Sequence, residues 1–341
     1  MGDEALFRIR NEDDAWDIFQ AALEKKIEVA PQQLKINWEG WPRIRIYLPD
    51  VPEDGSISSS MMGAILQLQK SIYRTHALLS TGSDNLRTLS QIERERFEIR
   101  VKVDKGSSDL SINLSDIISK YGNDIIAKMT GTELLIMVLG LALIYAGKLV
   151  VSEFLKAKTD QRRLASDDDK TRELLANYRA QLEHDSKRFE LLTKALDQRP
   201  ILKQIEDSAA EARDEILKAV AEEHGGEIQG IAVPHEVATE ISSVSRAQSS
   251  EARLAGQYRV AKVDTTVTDG FRVTLEDIKT GQLVTASLFD AVISSEHRRI
   301  LQDAEWNKKP LFVEMSARML RGRVVDAKIV SVGVQQPQRA K

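Results

Sequence analysis

The feature that most restricts this chain is residues 134–147, fourteen consecutive positions without a charge. A helix that is apolar all round has no polar face to turn toward water, so it needs surroundings from which water is excluded. Two environments meet that demand: a lipid bilayer and a protein interior. A bilayer core needs about 20 apolar residues as helix, with roughly 17 as the lower end. Carrying the run through Lys148 to Val151 makes eighteen residues, a length that reaches across if the Lys148 ammonium snorkels outward on its aliphatic stem. Length therefore favours one membrane-spanning or membrane-inserted helix; a helix buried all round inside a soluble oligomer is the alternative.

Within the run, Ala142 and Ala146 stand four apart, and Gly140 and Gly147 seven apart. Small residues at such intervals let helix backbones approach closely and favour pairing in lipid. Leu134, Leu139, Gly140, Ala142, Ala146 and Gly147 are accordingly the candidate residues for bilayer contact and self-association. Lys148, Lys156, Lys158, Arg162 and Arg163 follow the run, against Lys120 and Lys128 before it, and that asymmetry places the C-terminal part in the cytoplasm at an inner or plasma membrane. A conflict comes with it, because residues 1–10 lack the basic-then-apolar pattern of a cleaved signal. The alternative location is cytoplasmic throughout.

The other elements predict an α+β multidomain chain, since 341 residues exceed the usual size of one core. Residues 1–114 read as an N-terminal α+β domain. It opens with a strand at 6–9 and a helix at 13–24 whose start is capped by Asn11, Asp13 and Asp14. A hairpin at 33–38 and 43–48 is expected around Glu39-Gly40, a helix at 58–79, and a second hairpin at 97–103 and 110–114. Residues 115–160 form the apolar helical segment, and 161–225 a helical hairpin or short coiled coil. There one helix from Asp167–Asp169 to Gln198 is stopped by Pro200, and a second covers 205–223. Residues 226–256 are polar and read as a linker with one short helix, and 335–341 as a tail.

For 257–334 the order is three strands, a helix over 295–306 and two strands, the order of a small five-stranded barrel, OB-like or SH3-like. Basic residues collect in and around this region, Arg298, Arg299, Lys308, Lys309, Arg318, Arg321 and Arg323 among them. Arg318, Arg321 and Arg323 are the candidates for polyanion binding, with Tyr258, Phe271 or Phe312 as stacking partners if exposed.

Chemistry has few footholds. Cysteine is absent, which removes disulfides, thiolate metal sites and cysteine nucleophiles. His76, His184, His224, His235 and His297 contain no pair at local metal-ligand spacing, so a metal site would need assembly over long range. The local signatures of nucleotide-binding loops and hydrolase elbows are missing. Residues 105–109, Lys-Gly-Ser-Ser-Asp, read as a turn between two strands rather than a phosphate cradle, and Trp38 and Trp41 as indoles packed over a sheet end. A net charge of -4 calls for no polyanion by itself.

No enzyme and no cofactor are expected. The expectation is a membrane-anchored, self-associating sensor, effector or scaffold with two soluble binding modules, whose architecture looks like that of prokaryotic stress and antiviral defence membrane effectors. Its partners are copies of itself, the bilayer and an unidentified protein or ligand. The alternative is a soluble homo-oligomeric binding protein that contacts single-stranded nucleic acid through its C-terminal barrel.

Overall fold

In the computed structural model, which describes residues 5–49, 56–103, 109–125, 129–182, 184–243, 250–265, 270–278, 283–289, 294–320 and 323–333, the chain divides into two units, Met1–Val244 and Ser245–Lys341. The first unit runs β1 (Ala5–Ile9), α1 (Glu12–Leu23), β2 (Leu34–Trp38), β3 (Arg43–Tyr47), α2 (Ser59–Thr81), α3 (Gln91–Arg96), β4 (Val101–Val103) and β5 (Asp109–Asn113). It continues with α4 (Ser115–Ile125), α5 (Gly131–Ala146), α6 (Lys148–Ala165), α7 (Asp169–Gln181), α8 (Ser186–Gln198), α9 (Pro200–Glu222), β6 (Gly225–Ile228), β7 (Ile231–Pro234) and α10 (His235–Ser242). The second unit contains β8 (Ser250–Asp264), β9 (Gly270–Asp277), β10 (Leu283–Phe289), α11 (Ser295–Asn307), β11 (Leu311–Leu320) and β12 (Arg323–Gly333).

Short polar side chains set many helix starts. Asn11 accepts the Asp14 N–H at α1, Ser58 the Met61 N–H at α2, and Thr130 the Glu133 N–H at α5. Each satisfies a first-turn donor that has no partner inside its own helix. Asp185 does the same for α8, accepting from Lys187 and Arg188, so the single helix expected to end at Gln198 is two helices, α7 and α8. Asp185, which falls between the apolar positions Leu182 and Phe189, is that cap. Pro200 likewise begins α9 instead of stopping the previous element, because the N–H that proline lacks has no helical partner at a first position.

One predicted pairing and one predicted linker differ from what is found. β2 and β3 do not form a hairpin: β2 lies parallel to β1 across α1, while β3 sits between β5 and β6 in the antiparallel order β4-β5-β3-β6-β7. Period-two alternation names the faces of a strand and leaves its neighbour open. The segment expected as a linker with one short helix contains that helix as α10 but also supplies β6, β7 and the beginning of β8, so the sheet begun near residue 43 is completed more than 180 residues later. The hairpin of β4 and β5 is present, with Val103 opposite Leu110.

α9 packs along α2, and the core beneath the sheet gathers Ile44, Ile46, Leu68, Ile72, Ile112, Ile118, Ile205 and Ile216. A second cluster joins Trp16, Phe19 and Ala22 of α1 to one side of α5. In the second unit the five strands close into a barrel in the order β10-β12-β11-β8-β9. The β10 and β12 pair is parallel and the others antiparallel. Val273, Leu275, Ala286, Val313, Met315 and Ala317 fill its interior. Gly270 is required at the barrel's seam: at φ 146, an added Cβ would lie 2.2 Å from the Leu288 carbonyl oxygen.

Candidate functional site

α5 and α6 do not make one straight helix. They meet at Gly147 with a 54° bend, and among the described residues no single helix is long and apolar enough to cross a membrane; the bent pair together has the length and composition. Side chains from distant segments complete the break. The Glu12 carboxylate accepts the N–H groups of Lys148 (2.6 Å) and Leu149 (3.3 Å), and also the Trp16 indole N–H at 3.0 Å. At the end of α5, Arg213 donates to the Ile144 carbonyl at 2.8 Å and Gln229 to the Ala146 carbonyl at 2.6 Å. A continuous helix would have used several of these groups in its own ladder; here each has a side-chain partner.

The six residues singled out for lipid and self-contact all lie inside the first unit. Leu134 and Ala142 face the cluster under the sheet, and Leu139 faces α1 from the opposite side. Gly140 sits between α9 and α1: a Cβ there would be 3.2 Å from Leu202 Cδ1 and 3.6 Å from Phe19 Cε2. Ala146 and Gly147 are buried at the bend. Gly140 therefore does bring elements close, and those elements are α1 and α9 of the same chain.

Several polar groups cross this interior in hydrogen-bonded or ion pairs, while the buried Ser208 hydroxyl has no hydrogen-bond partner among the described residues. The Tyr145 hydroxyl bonds Ser71 (2.9 Å) and Thr75 (2.8 Å), and burial pushes its proton affinity up. Arg213 also pairs with Glu206, whose carboxyl burial raises while the guanidinium opposes the rise. His76 lies between Glu93 (3.2 Å) and Asp124 (3.5 Å), stacked on Phe97 at 4.2 Å. The Glu93 carboxyl is held down to about 2, first by the Ser90 hydroxyl and backbone N–H and then by His76. Trp38 and Trp41 stand 6.0 Å apart against both core clusters, with the Trp38 indole N–H on Ser119 Oγ.

The barrel offers the more accessible surface. Arg318 is exposed on β11 in register with Asp326 of β12 and Glu251 of β8, as Arg272 of β9 is with Asp264 of β8. Arg321 lies outside the described residues, as does the side chain of Arg323 and, in the first unit, the stretch 105–108. Tyr258 and Phe312 are buried, and Phe271 is half-buried beneath the Arg298 guanidinium. Of the three candidate arginines, the structure thus describes only the Arg318 side chain.

A different set of exposed side chains, not singled out from the sequence, lies on β9, β10 and β12. Arg272, Ser287 and Lys328 form one row across the three strands, since Ser287 pairs with both neighbours. The row continues to Ser316 and Arg253 on β11 and β8. Arg272 and Lys328 are exposed, and no ion pair joins either to a described residue, whereas Arg253 is bound to Glu314 at 2.6 Å. Phe289, 40% exposed, lies two residues beyond Ser287 with the Lys328 ammonium 5.7 Å from its ring. Thr274 of β9 and Thr285 of β10 join hydroxyls at 3.2 Å. The signal available in sequence was alternation along β10, which turns Phe289 outward with Thr285 and Ser287; the cations come from strands 15 and 41 residues away from Ser287.

Taken together, fold and surface define a mixed α/β chain of two units with a closed five-stranded barrel in the C-terminal region. No family model matches it, and neither a curated protein nor a solved structure does.

Proposed function

We propose that this chain is a non-enzymatic, self-associating binding protein whose barrel takes single-stranded nucleic acid on the face of β9, β10 and β12. The observation that carries the reading is the juxtaposition of exposed Phe289 with Lys328 and Arg272 in one patch. An aromatic ring stacks a base of any identity, and cations spaced along the strands take the phosphates. Strand order, the parallel closure of β10 on β12 and a helix between third and fourth strands support an OB-type barrel over an SH3-like one, and OB-type barrels present ligands on their second and third strands. Those strands are β9 and β10. The first unit then serves as scaffold, and the chain works in the cytoplasm.

The test is fluorescence anisotropy of the full chain with labelled single-stranded DNA and RNA across a salt series. Affinity falls with salt, and Lys328→Gln and Arg272→Gln each reduce the log–log slope by about 0.7. Phe289→Ala weakens binding by about 1–3 kcal/mol and leaves the slope unchanged. A weak, salt-independent response of the wild type overturns the reading.

One observation favours a second reading. The α5–α6 pair has the length and apolar composition of a broken span, as a membrane-anchored effector would need, with Leu134, Leu139, Gly140, Ala142, Ala146 and Gly147 meeting lipid and other copies. Against it stands the burial of all six by the chain's own elements. Flotation of the full chain with anionic vesicles decides: co-flotation that Leu139→Ala leaves intact or strengthens supports insertion, and wild-type protein remaining at the bottom of the gradient removes this reading.

A further inference from the structure

We infer that His224 and His235 form a two-histidine site for a divalent transition-metal ion of the zinc, nickel or copper class. The pair is invisible to local spacing, because the two residues are eleven apart and belong to no common helix face. Hairpin β6–β7 joins them: Gly225 and Pro234 are its last ladder partners, and His224 and His235 flank that pair at the open end. Their imidazole centroids stand 5.1 Å apart with the planes inclined at 36°, and both residues are exposed.

The separation matches that of two imidazoles on one ion, and is also within the roughly 4.5–7 Å range of ordinary ring packing. A zinc–nitrogen bond of about 2.0–2.1 Å puts each ring centroid roughly 3.2 Å from the metal, and two rings at a tetrahedral angle then lie about 5.2 Å apart. The backbone holds both residues in position. His224 occupies a left-handed conformation, φ 62, directly after α9, and His235 opens α10. A Cβ on Gly225 would come 2.8 Å from the His235 nitrogen, so the chain segments are as close there as glycine permits. Neutral imidazoles suit all three ions, and with no cysteine in the chain a thiolate competitor is missing.

Among the described residues no group of three potential ligands surrounds an ion position. The site is therefore an open one, with two protein nitrogens and further positions for water or for a ligand from a second molecule. It is independent of nucleic-acid binding and of any membrane role.

Tag-free full-length protein is titrated with Zn2+, Ni2+ and Cu2+ by calorimetry and followed by thermal unfolding. The wild type binds one ion per chain, with copper tightest, and at a metal concentration 100 times Kd its folded-to-unfolded ratio rises about 100-fold. His224→Asn, chosen because asparagine tolerates a left-handed backbone, and His235→Gln each lose the site, while His184→Gln keeps it. Metal-free unfolding of the variants, compared with wild type, separates lost ligation from lost folding. Acidification releases the ion, since a protonated imidazole has no lone pair to give. Binding that survives in the double variant, or no binding of any of the three ions by the wild type, overturns the assignment.

Discussion

Replacing Glu12 by alanine tests whether the bend at Gly147 is built into the fold. Its carboxylate accepts two backbone N–H groups of α6 and one indole N–H. Hydrogen bonds to a charged group are worth about 1.5–3 kcal/mol each when buried, and Glu12 is half-buried, so water replaces part of what is lost. Taking the 2.6 Å bond nearly whole and the other two as partial gives about 2–4 kcal/mol. For a unit of this size each kcal/mol lowers Tm by about 2–4 °C, so Glu12→Ala melts roughly 5–15 °C lower. Glu12→Gln keeps an acceptor oxygen and loses the charge, and it falls about midway. If α5 and α6 instead ran on as one helix, Glu12 would be a first-turn acid of α1 worth about 0.3–1 kcal/mol. Urea unfolding followed by circular dichroism distinguishes these cases. A Glu12→Ala loss below about 1 kcal/mol refutes the capping argument.

Three further outcomes follow from the same geometry. Leu139 is 0% exposed, so Leu139→Ala costs about 2–5 kcal/mol in denaturant unfolding, and Leu139→Arg, which leaves a charge buried without a partner, abolishes the folded state; a Leu139→Arg protein with wild-type stability contradicts the burial. Asp185→Ala removes the α8 cap and costs about 1 kcal/mol, while an unchanged midpoint means that the break between α7 and α8 does not depend on it. Because the Glu93 carboxyl sits at about 2 in the fold against 4.5 ordinarily, its contribution to stability is complete above the ordinary value and is lost as pH falls from there through about 2. Its side chain is 36% exposed, so solvent screening reduces the effect. Wild type therefore loses stability more steeply than Glu93→Gln over that acidic range, and parallel curves count against the interaction.

Much of the local structure was legible in the residues. Asn11 and Ser58 mark helix starts, alternation marks β3 and β5, and the order of strands and helix after residue 257 anticipates a small barrel. Each is a short-range signal: a donor needing an acceptor three positions away, or a side chain whose face follows from the pleat. Asp185 shows the limit. An aspartate there suits a helix start, but a capping role depends on where the preceding helix ends.

By itself the sequence determined that residues 134–147 must be shielded from water, because no polar face exists along them. Only the tertiary structure decided what shields them. α1, α4 and α9 cover the run, Glu12, Arg213 and Gln229 take the backbone groups at its bend, and β6 arrives from the far end of the first unit to pair with β3. The same holds for Phe289 beside Lys328 and for His224 beside His235. A pattern along the chain specifies which surfaces need a partner, whereas the identity of that partner is settled by contacts between residues far apart in sequence, and those exist only once the chain has folded.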